Sequence, residues 1–201
     1  MRLFFLFLFN CCFFLWGYGQ DSYFATIKKF QQELDEHYQN KDTSPLSEKE
    51  RRKFKGHRYF QIDSAYRIVA NFERIPHPDT IVMPTSAGTE KVYLRYANIR
   101  FSIQGVACKL VAYQSLNSLN ATDDQKQLFI PFTDETSGKK TYGGGRYLDI
   151  LIPKGDTIII DFNRAYNPYC AYTTGWFCPL PPKENSLNVS IKAGLMTPSE
   201  H

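Results

Sequence analysis

The sequence predicts a mainly β domain of the α+β class: an antiparallel β-sandwich or barrel of about eight strands preceded by two N-terminal helices. Three observations carry this expectation. Helical periodicity is confined to the region before residue 56. From Arg58 onward, eight short runs rich in β-branched and aromatic residues follow one another, and several alternate between apolar and polar. Gly, Pro, Asn and Asp punctuate the gaps, with no long helical segment among the runs, as in strands joined by tight turns.

The chain opens on MRLFFLFLFNCCFFLWGYGQDSY. One cation, Arg2, precedes an apolar run from Leu3 to Trp16, and Gly17, Tyr18 and Gly19 follow as a small-x-small pattern. The run is shorter than the roughly 20 residues a membrane-spanning helix needs, and its flanks are those of a secretory signal. The expectation is cleavage near Gly19. Residues 1–19 are then the signal and residues 20–201 a single domain, helical over 20–56 and β-rich over 57–194. Two alternatives stay open, a lipoprotein acylated at Cys11 or Cys12 and an uncleaved N-terminal anchor. Asn10 before Cys11, and the apolar FFLW that acylation would leave on the product, argue against the lipoprotein. The mature chain is expected to be periplasmic or extracellular, with no membrane span of its own. Removing Arg2 takes the formal charge from +4 to +3, a mild excess. The basic run Arg51-Arg52-Lys53-Phe54-Lys55 is too short for a nucleic-acid footprint, so no nucleic-acid partner is expected.

In chain order, Phe24, Ile27, Phe30 and Leu34 draw one apolar face on a helix over residues 22–40, with Ser22 as a plausible cap. Ser47 and Glu50 form a capping-box pattern for a second helix from Glu48 to Phe54, ended by Gly56. The strand-like runs are residues 65–75, 80–84, 91–105, 107–116, 127–132, 146–153, 156–163 and 187–193. Lys154-Gly155-Asp156 suggests a hairpin between two of them, and Asn117–Lys126 a short helical turn.

Three strings carry a family likeness: SPLSEKERRKFKGHRYF at 44–60, QLFIPFTDETSGKKTYGGGRYLDI at 127–150, and DFNRAYNPYCAY with CPLPPKENSLNVSIKAG across 161–194. The chain resembles the DUF1684 family of uncharacterised bacterial and archaeal proteins over nearly all of its expected mature length. It departs at His57, where the likeness implies an apolar residue, and at Gly194-Leu195, where an acidic residue usually follows the glycine. The resemblance implies a known domain type and supplies no catalytic residue. Asn120-Ala-Thr122 and Asn188-Val-Ser190 fit the glycosylation sequon, which carries no meaning in a bacterial source.

Chemistry must therefore come from the residues. Removing the signal leaves Cys108, Cys170 and Cys178, so at most one pair can form. Cys170 and Cys178 bracket AYTTGWF and would close a small loop in an oxidising compartment. The alternatives are two buried thiols, half of a zinc site, or Cys170 as a nucleophile with His57 as a distant base. The spacing is long for a zinc knuckle, and His37, His57, His77 and His201 show no ligand spacing, so no metal is expected. Cys108 lies in an apolar run and is expected to be buried and inert.

Asp161, Asn163, Arg164, Tyr166 and Asn167 follow the apolar strand DTIIID and could line a pocket mouth. They could equally satisfy the backbone of the proline-rich loop. A buried ion pair is expected with Arg146 or Arg164 as cation and Asp149, Asp161 or Glu184 as anion. Arg146, between Tyr142 and Tyr147, could stack or bind a carboxylate. Gly143-Gly144-Gly145 precedes a strand rather than a helix, which disfavours a phosphate cradle. Trp176 and Phe177 could stack on sugars. No HExxH, GxSxG or EF-hand loop occurs, and no cofactor is expected. Two function classes follow: an exported domain binding a small molecule, glycan or envelope component near residues 142–185, or an enzyme of unidentified, hydrolase-like type using Asp, Arg, Tyr or Cys from the same region.

Overall fold

The computed structural model describes residues 5–116 and 127–198, and for residues 5–20 only the course of a helix. The expected turn at Asn117–Lys126, the Asn120 sequon and the leader side chains, Cys11 and Cys12 included, lie outside the described residues. Helix α1 runs from Phe5 to Gln39. Its inward stripe, Tyr23, Ile27, Phe30, Leu34 and Tyr38, repeats at three- and four-residue steps, and Ile27 and Tyr38 are fully buried. Helix α2, Glu48–Lys53, starts on Ser47 with both halves of the capping box formed.

The strands are β1 (Arg67–Arg74), β2 (Thr80–Pro84), β3 (Glu90–Ile103), β4 (Val106–Ser115), β5 (Gln127–Phe132), β6 (Arg146–Leu151) and β7 (Thr157–Asp161). They form one antiparallel sheet in the order β6-β5-β4-β3-β1-β7, with β2 added to β3. The sheet curls into a half-barrel of seven strands among the described residues, and residues 187–193 are not one of them. Residues 187–193 read as a strand because Leu187, Val189, Ile191 and Ala193 do enter the core alternately. The carbonyls of Ile191 and Ala193, however, bond to the Arg146 side chain rather than to a neighbouring strand.

The expected hairpin at Lys154-Gly155-Asp156 is also corrected. β6 and β7 are joined by that loop but pair with β5 and β1, at opposite ends of the sheet order. Curling brings the two edges face to face. A bridge between Tyr147 and Tyr166, with N–H···O distances of 2.8 and 3.0 Å, closes the far end of this seam. α1 lies against the gap. The true tight hairpin joins β3 to β4, where Gln104 and Gly105 both take positive φ, 52° and 79°.

Within the curl, Leu128, Ile130 and Phe132 of β5 meet Ile158 and Ile160 of β7, Ile99 of β3 and Leu110 of β4. Gln127 and Phe129 face outward by the same alternation. The sealing polar group is Arg146. Its guanidinium donates to the carbonyls of Ala193 (2.5 Å), Leu195 (3.2 Å) and Ile191 (2.9 Å), and to Asp134 Oδ2 (2.9 Å). Asp134 Oδ1 accepts from Ile191 N–H, Thr136 N–H and Thr136 Oγ1 at 3.1, 2.8 and 2.6 Å. Both side chains are excluded from solvent. The tail's close approach needs Gly194: a Cβ there would lie 2.5 Å from Ala165 O and 2.6 Å from Phe162 O. Asn185 does a similar service between β4 and β5, bonding Val111 N–H, Val111 O and Pro131 O at 2.7, 2.9 and 2.8 Å.

Breaking a buried pair by removing one partner strands the other charge. Asp134→Asn and Arg146→Met are each expected to lower the unfolding free energy by about 3–5 kcal/mol in urea titrations. Arg164→Met, at an exposed cation–π contact with Phe30, is expected to cost about 1 kcal/mol or less. Equal, small losses at all three positions would contradict the assignment of Arg146 as the sealing group.

Candidate functional site

On the outer face of the sheet, register places Phe129 opposite Asp149 and Pro131 opposite Tyr147. β3 contributes Tyr93 and Lys91. The rings pack in series: Tyr93 stacks on Phe129 at 5.4 Å, Phe129 meets Tyr147 edge to face at 4.7 Å, and Tyr147 meets Tyr166 at 5.8 Å. After Pro168 ends the extended run, the loop to Pro179 stands over this surface. It brings Tyr169 and Trp176, whose centroids lie 4.7 Å apart, and Phe177. The open recess between them, an aromatic cup, measures about 590 Å3.

Several contacts hold the loop there. Cys170 and Cys178 sit at disulfide distance, with Cα atoms 6.3 Å apart. Cys108 is the free thiol, half-buried, and burial pushes its pKa up. Ser86 N–H donates to Cys178 O (2.9 Å), Leu180 N–H to Pro84 O (2.8 Å) and Tyr147 Oη to Pro179 O (2.5 Å). Trp176 Nε1 donates to Pro45 O (3.2 Å), tying the loop to the turn before α2. The glycine run is explained by packing: a Cβ on Gly145 would lie 2.5 Å from the Pro181 ring and 2.7 Å from Phe132 O.

Asp149 lines the recess at the β6–β7 seam and adjoins the cup through Phe129, its register partner, and Tyr166. Its side chain reaches solvent but in a crowded recess, and desolvation raises its pKa, opposed by a hydrogen bond from Tyr166 Oη. The Tyr166 phenol is pushed far above its ordinary value by burial, then by the Asp149 charge. Burial first and the same charge second raise Tyr93 and Tyr169, while Tyr147 is raised by burial, then by Tyr93 and Tyr142, and last by Asp149. Among the described residues no lysine or arginine pairs with Asp149.

The seam itself opens into a second recess of about 810 Å3 between β6, β7 and α1. Its polar groups hold α1. Tyr23 Oη donates to Asp161 (3.0 Å), and Asn163 Nδ2 donates to Tyr23 Oη (2.9 Å) and Asp63 O (2.8 Å). Arg67 lies over the Tyr23 ring and Arg164 over Phe30. Further along α1, His57 is fully buried among Tyr38, Phe54 and Tyr172, with ring centroids 4.3, 4.9 and 5.1 Å away. Its Nδ1–H donates to Asp35 Oδ1 at 2.5 Å, since a carboxylate can only accept, while Nε2 has no partner. Burial lowers the imidazole pKa by more than Asp35 raises it.

The structure thus divides the sequence-derived candidates. Tyr147 and Tyr166 line the cup, and Asp149 joins it to the seam. Asp161 and Arg164 line the seam. Asn163 is spent on Asp63 and Tyr23. Asn167 donates to Tyr172 Oη and Met196 O, at 2.9 and 2.8 Å. Glu184 accepts from Tyr113 (2.6 Å) and Arg95 (3.0 Å). Arg146 is indeed a buried cation, but its anion is Asp134, not Asp149, Asp161 or Glu184. With Cys170 beside Cys178, the reading of Cys170 as a nucleophile served by His57 falls away. Tyr93, Phe129, Tyr169 and Lys91 were missed. Outward alternation on β3 and β5 is the signal that exposes the first two. Among the described residues, no three His, Cys, Asp or Glu side chains converge as a metal-holding group, and no helix is long and apolar enough to cross a membrane.

Fold and site together define a curled antiparallel β domain with an aromatic cup on the outer face of its sheet. The chain belongs to the DUF1684 family, described as a protein of unknown function, whose profile matches residues 52–196. It is similar to an uncharacterised protein of Haloarcula marismortui solved in solution by NMR, with 33% identity and a TM-score of 0.70. That match covers 91% of this chain and 98% of the other. No curated protein matches.

The His57 geometry has a pH signature. An unfolded histidine titrates near about 6.5. A depressed folded pKa means the ring's contribution is complete above that value and is lost as pH falls through the folded pKa. Urea midpoints are expected to fall more steeply on the acid side of about pH 6.5 in the wild type than in His57→Phe. Superimposable profiles would falsify the buried neutral ring.

Proposed function

We propose that the chain is a non-catalytic binding domain, exported by its N-terminal leader, that takes a small organic molecule or a glycan in the aromatic cup. One observation supports this reading above the rest: seven aromatic side chains from three strands and the segment after β7 line a single open recess. Large rings left in contact with water around a concavity are characteristic of a ligand site. The loop that supplies half of the cup is fastened at several points, so its rings stand ready before a ligand arrives, which reduces the ordering cost of binding.

The second reading, an enzyme, draws on the neighbouring Asp149 and Tyr166, both with raised pKa values. Asp149 has the character of a weak general base. A phenol moved still further from neutrality does not serve as its partner in proton transfer near pH 7.

Trp176 gives a direct readout, because Trp16 is the one other tryptophan. In a Trp16→Phe background, emission from Trp176 is to be titrated with a panel of sugars, amines, nucleosides and organic acids, with melting temperature followed in parallel. At least one class is expected to quench Trp176 and raise the melting temperature. Phe129→Ala should weaken that ligand by about tenfold, equivalent to about 1.4 kcal/mol. A flat panel, or affinity untouched by Phe129→Ala, counts against the cup; turnover of a bound compound favours the enzyme.

A further inference from the structure

We infer that the cup selects ligands carrying an organic ammonium group, seated against the ring faces with Asp149 as its counter-charge. This rests on the binding reading above and names the ligand class for the same recess.

The first ground is charge. Asp149 receives a hydrogen bond from a neutral phenol, Tyr166 Oη, and no described lysine or arginine neutralises it. A carboxylate in a crowded recess, with no ion-pair partner among the described residues, leaves a negative potential that an incoming cation would satisfy. The carboxylate adjoins the cup, because two of the cup's rings touch its position: Phe129 is its register partner on β5, and Tyr166 donates its hydroxyl to it.

The second ground is the shortage of free hydrogen-bonding groups. A pyranose or other polyol needs several fixed donors and acceptors to replace the water it loses. Two of the four phenols here are already engaged: Tyr147 Oη donates to Pro179 O at 2.5 Å, and Tyr166 Oη to Asp149. Most of what the cup offers is ring surface, with the Asp149 charge beside it. An alkylated ammonium asks for little else, since it is weakly hydrated and is held by the electron-rich faces of aromatic rings. Lys91, lining the cup from β3, gives an anionic group elsewhere on the same ligand a place to rest.

The test compares choline with its neutral isostere 3,3-dimethylbutan-1-ol and with glucose, using the Trp16→Phe chain and Trp176 emission. Choline is expected to bind at least about tenfold more tightly than the isostere. Asp149→Asn, isosteric and at a solvent-open position, should abolish most of that preference while its circular dichroism and melting curve stay those of the parent. Equal binding of choline and the isostere overturns the inference and leaves the cup intact as a binding site. So does binding of glucose alone. A preference for choline that survives Asp149→Asn removes Asp149 as the counter-charge and overturns the inference as stated. No response to any of the three probes, nor to the wider panel, overturns the binding reading with it. Should Asp149→Asn fail to fold, the comparison of choline with its isostere on the parent chain still decides.

Discussion

Arg146 and Asp134 share a buried clasp on which the other parts of the molecule converge. One side chain comes from the start of β6 and the other from the turn after β5. Between them they satisfy the carbonyls of Ile191, Ala193 and Leu195 and the amide of Ile191. A tail with no strand neighbour would otherwise bury those groups unpaired, at a cost of about 1–3 kcal/mol each. The clasp therefore lets the tail pack its apolar side chains into the half-barrel without extending the sheet. It also fixes the end of β6 from which Tyr147 and Asp149 project.

From that end the geometry spreads to the site. Tyr147 is one residue from Arg146, pairs with Tyr166 across the seam and donates its hydroxyl to Pro179. Leu195, carried by the tail, donates its amide to Ala165 O at 2.9 Å, next to Tyr166. The cup's inner wall is thus bonded to the clasp through short stretches of chain on both sides. The outer wall, with Tyr169, Trp176 and Phe177, depends on Cys170 and Cys178 and on contacts with the C-terminal end of β2. α1 occupies the seam instead, where Asp161 and Asn163 hold it, with His57 bonding Asp35 further along the helix. The polar residues most suggestive of chemistry in the sequence are mainly fastenings, and the recess is built from rings.

What could be read in advance was local. The Ser47–Glu50 capping box, the alternation along β5 and the nearness of Cys170 to Cys178 depend on a few consecutive residues, and each has its counterpart in the structure. Long-range pairing was not legible. Nothing near Lys154–Asp156 reveals that the flanking strands pair with opposite ends of the sheet. Asp134 sits in the turn TDETSG, where an aspartate ordinarily bonds the local backbone, and it does so here through Thr136 as well as binding Arg146. Tyr93 and Phe129 lie 36 residues apart in the sequence and meet only through the curl of β3, β4 and β5.

The central claim is that clasp, tail and inner cup wall form one cooperative unit rather than a loop resting on a barrel. Native-state hydrogen exchange tests it most directly, through the amides of Tyr147, Tyr166, Ile191 and Leu195, all hydrogen-bonded within this unit. These four are expected to exchange only by global unfolding, with opening free energies equal to that of the core amides of β3 and β4. Exchange of Tyr166 or Ile191 through a local opening well below the global value would contradict the claim and leave the cup wall a separately mobile element.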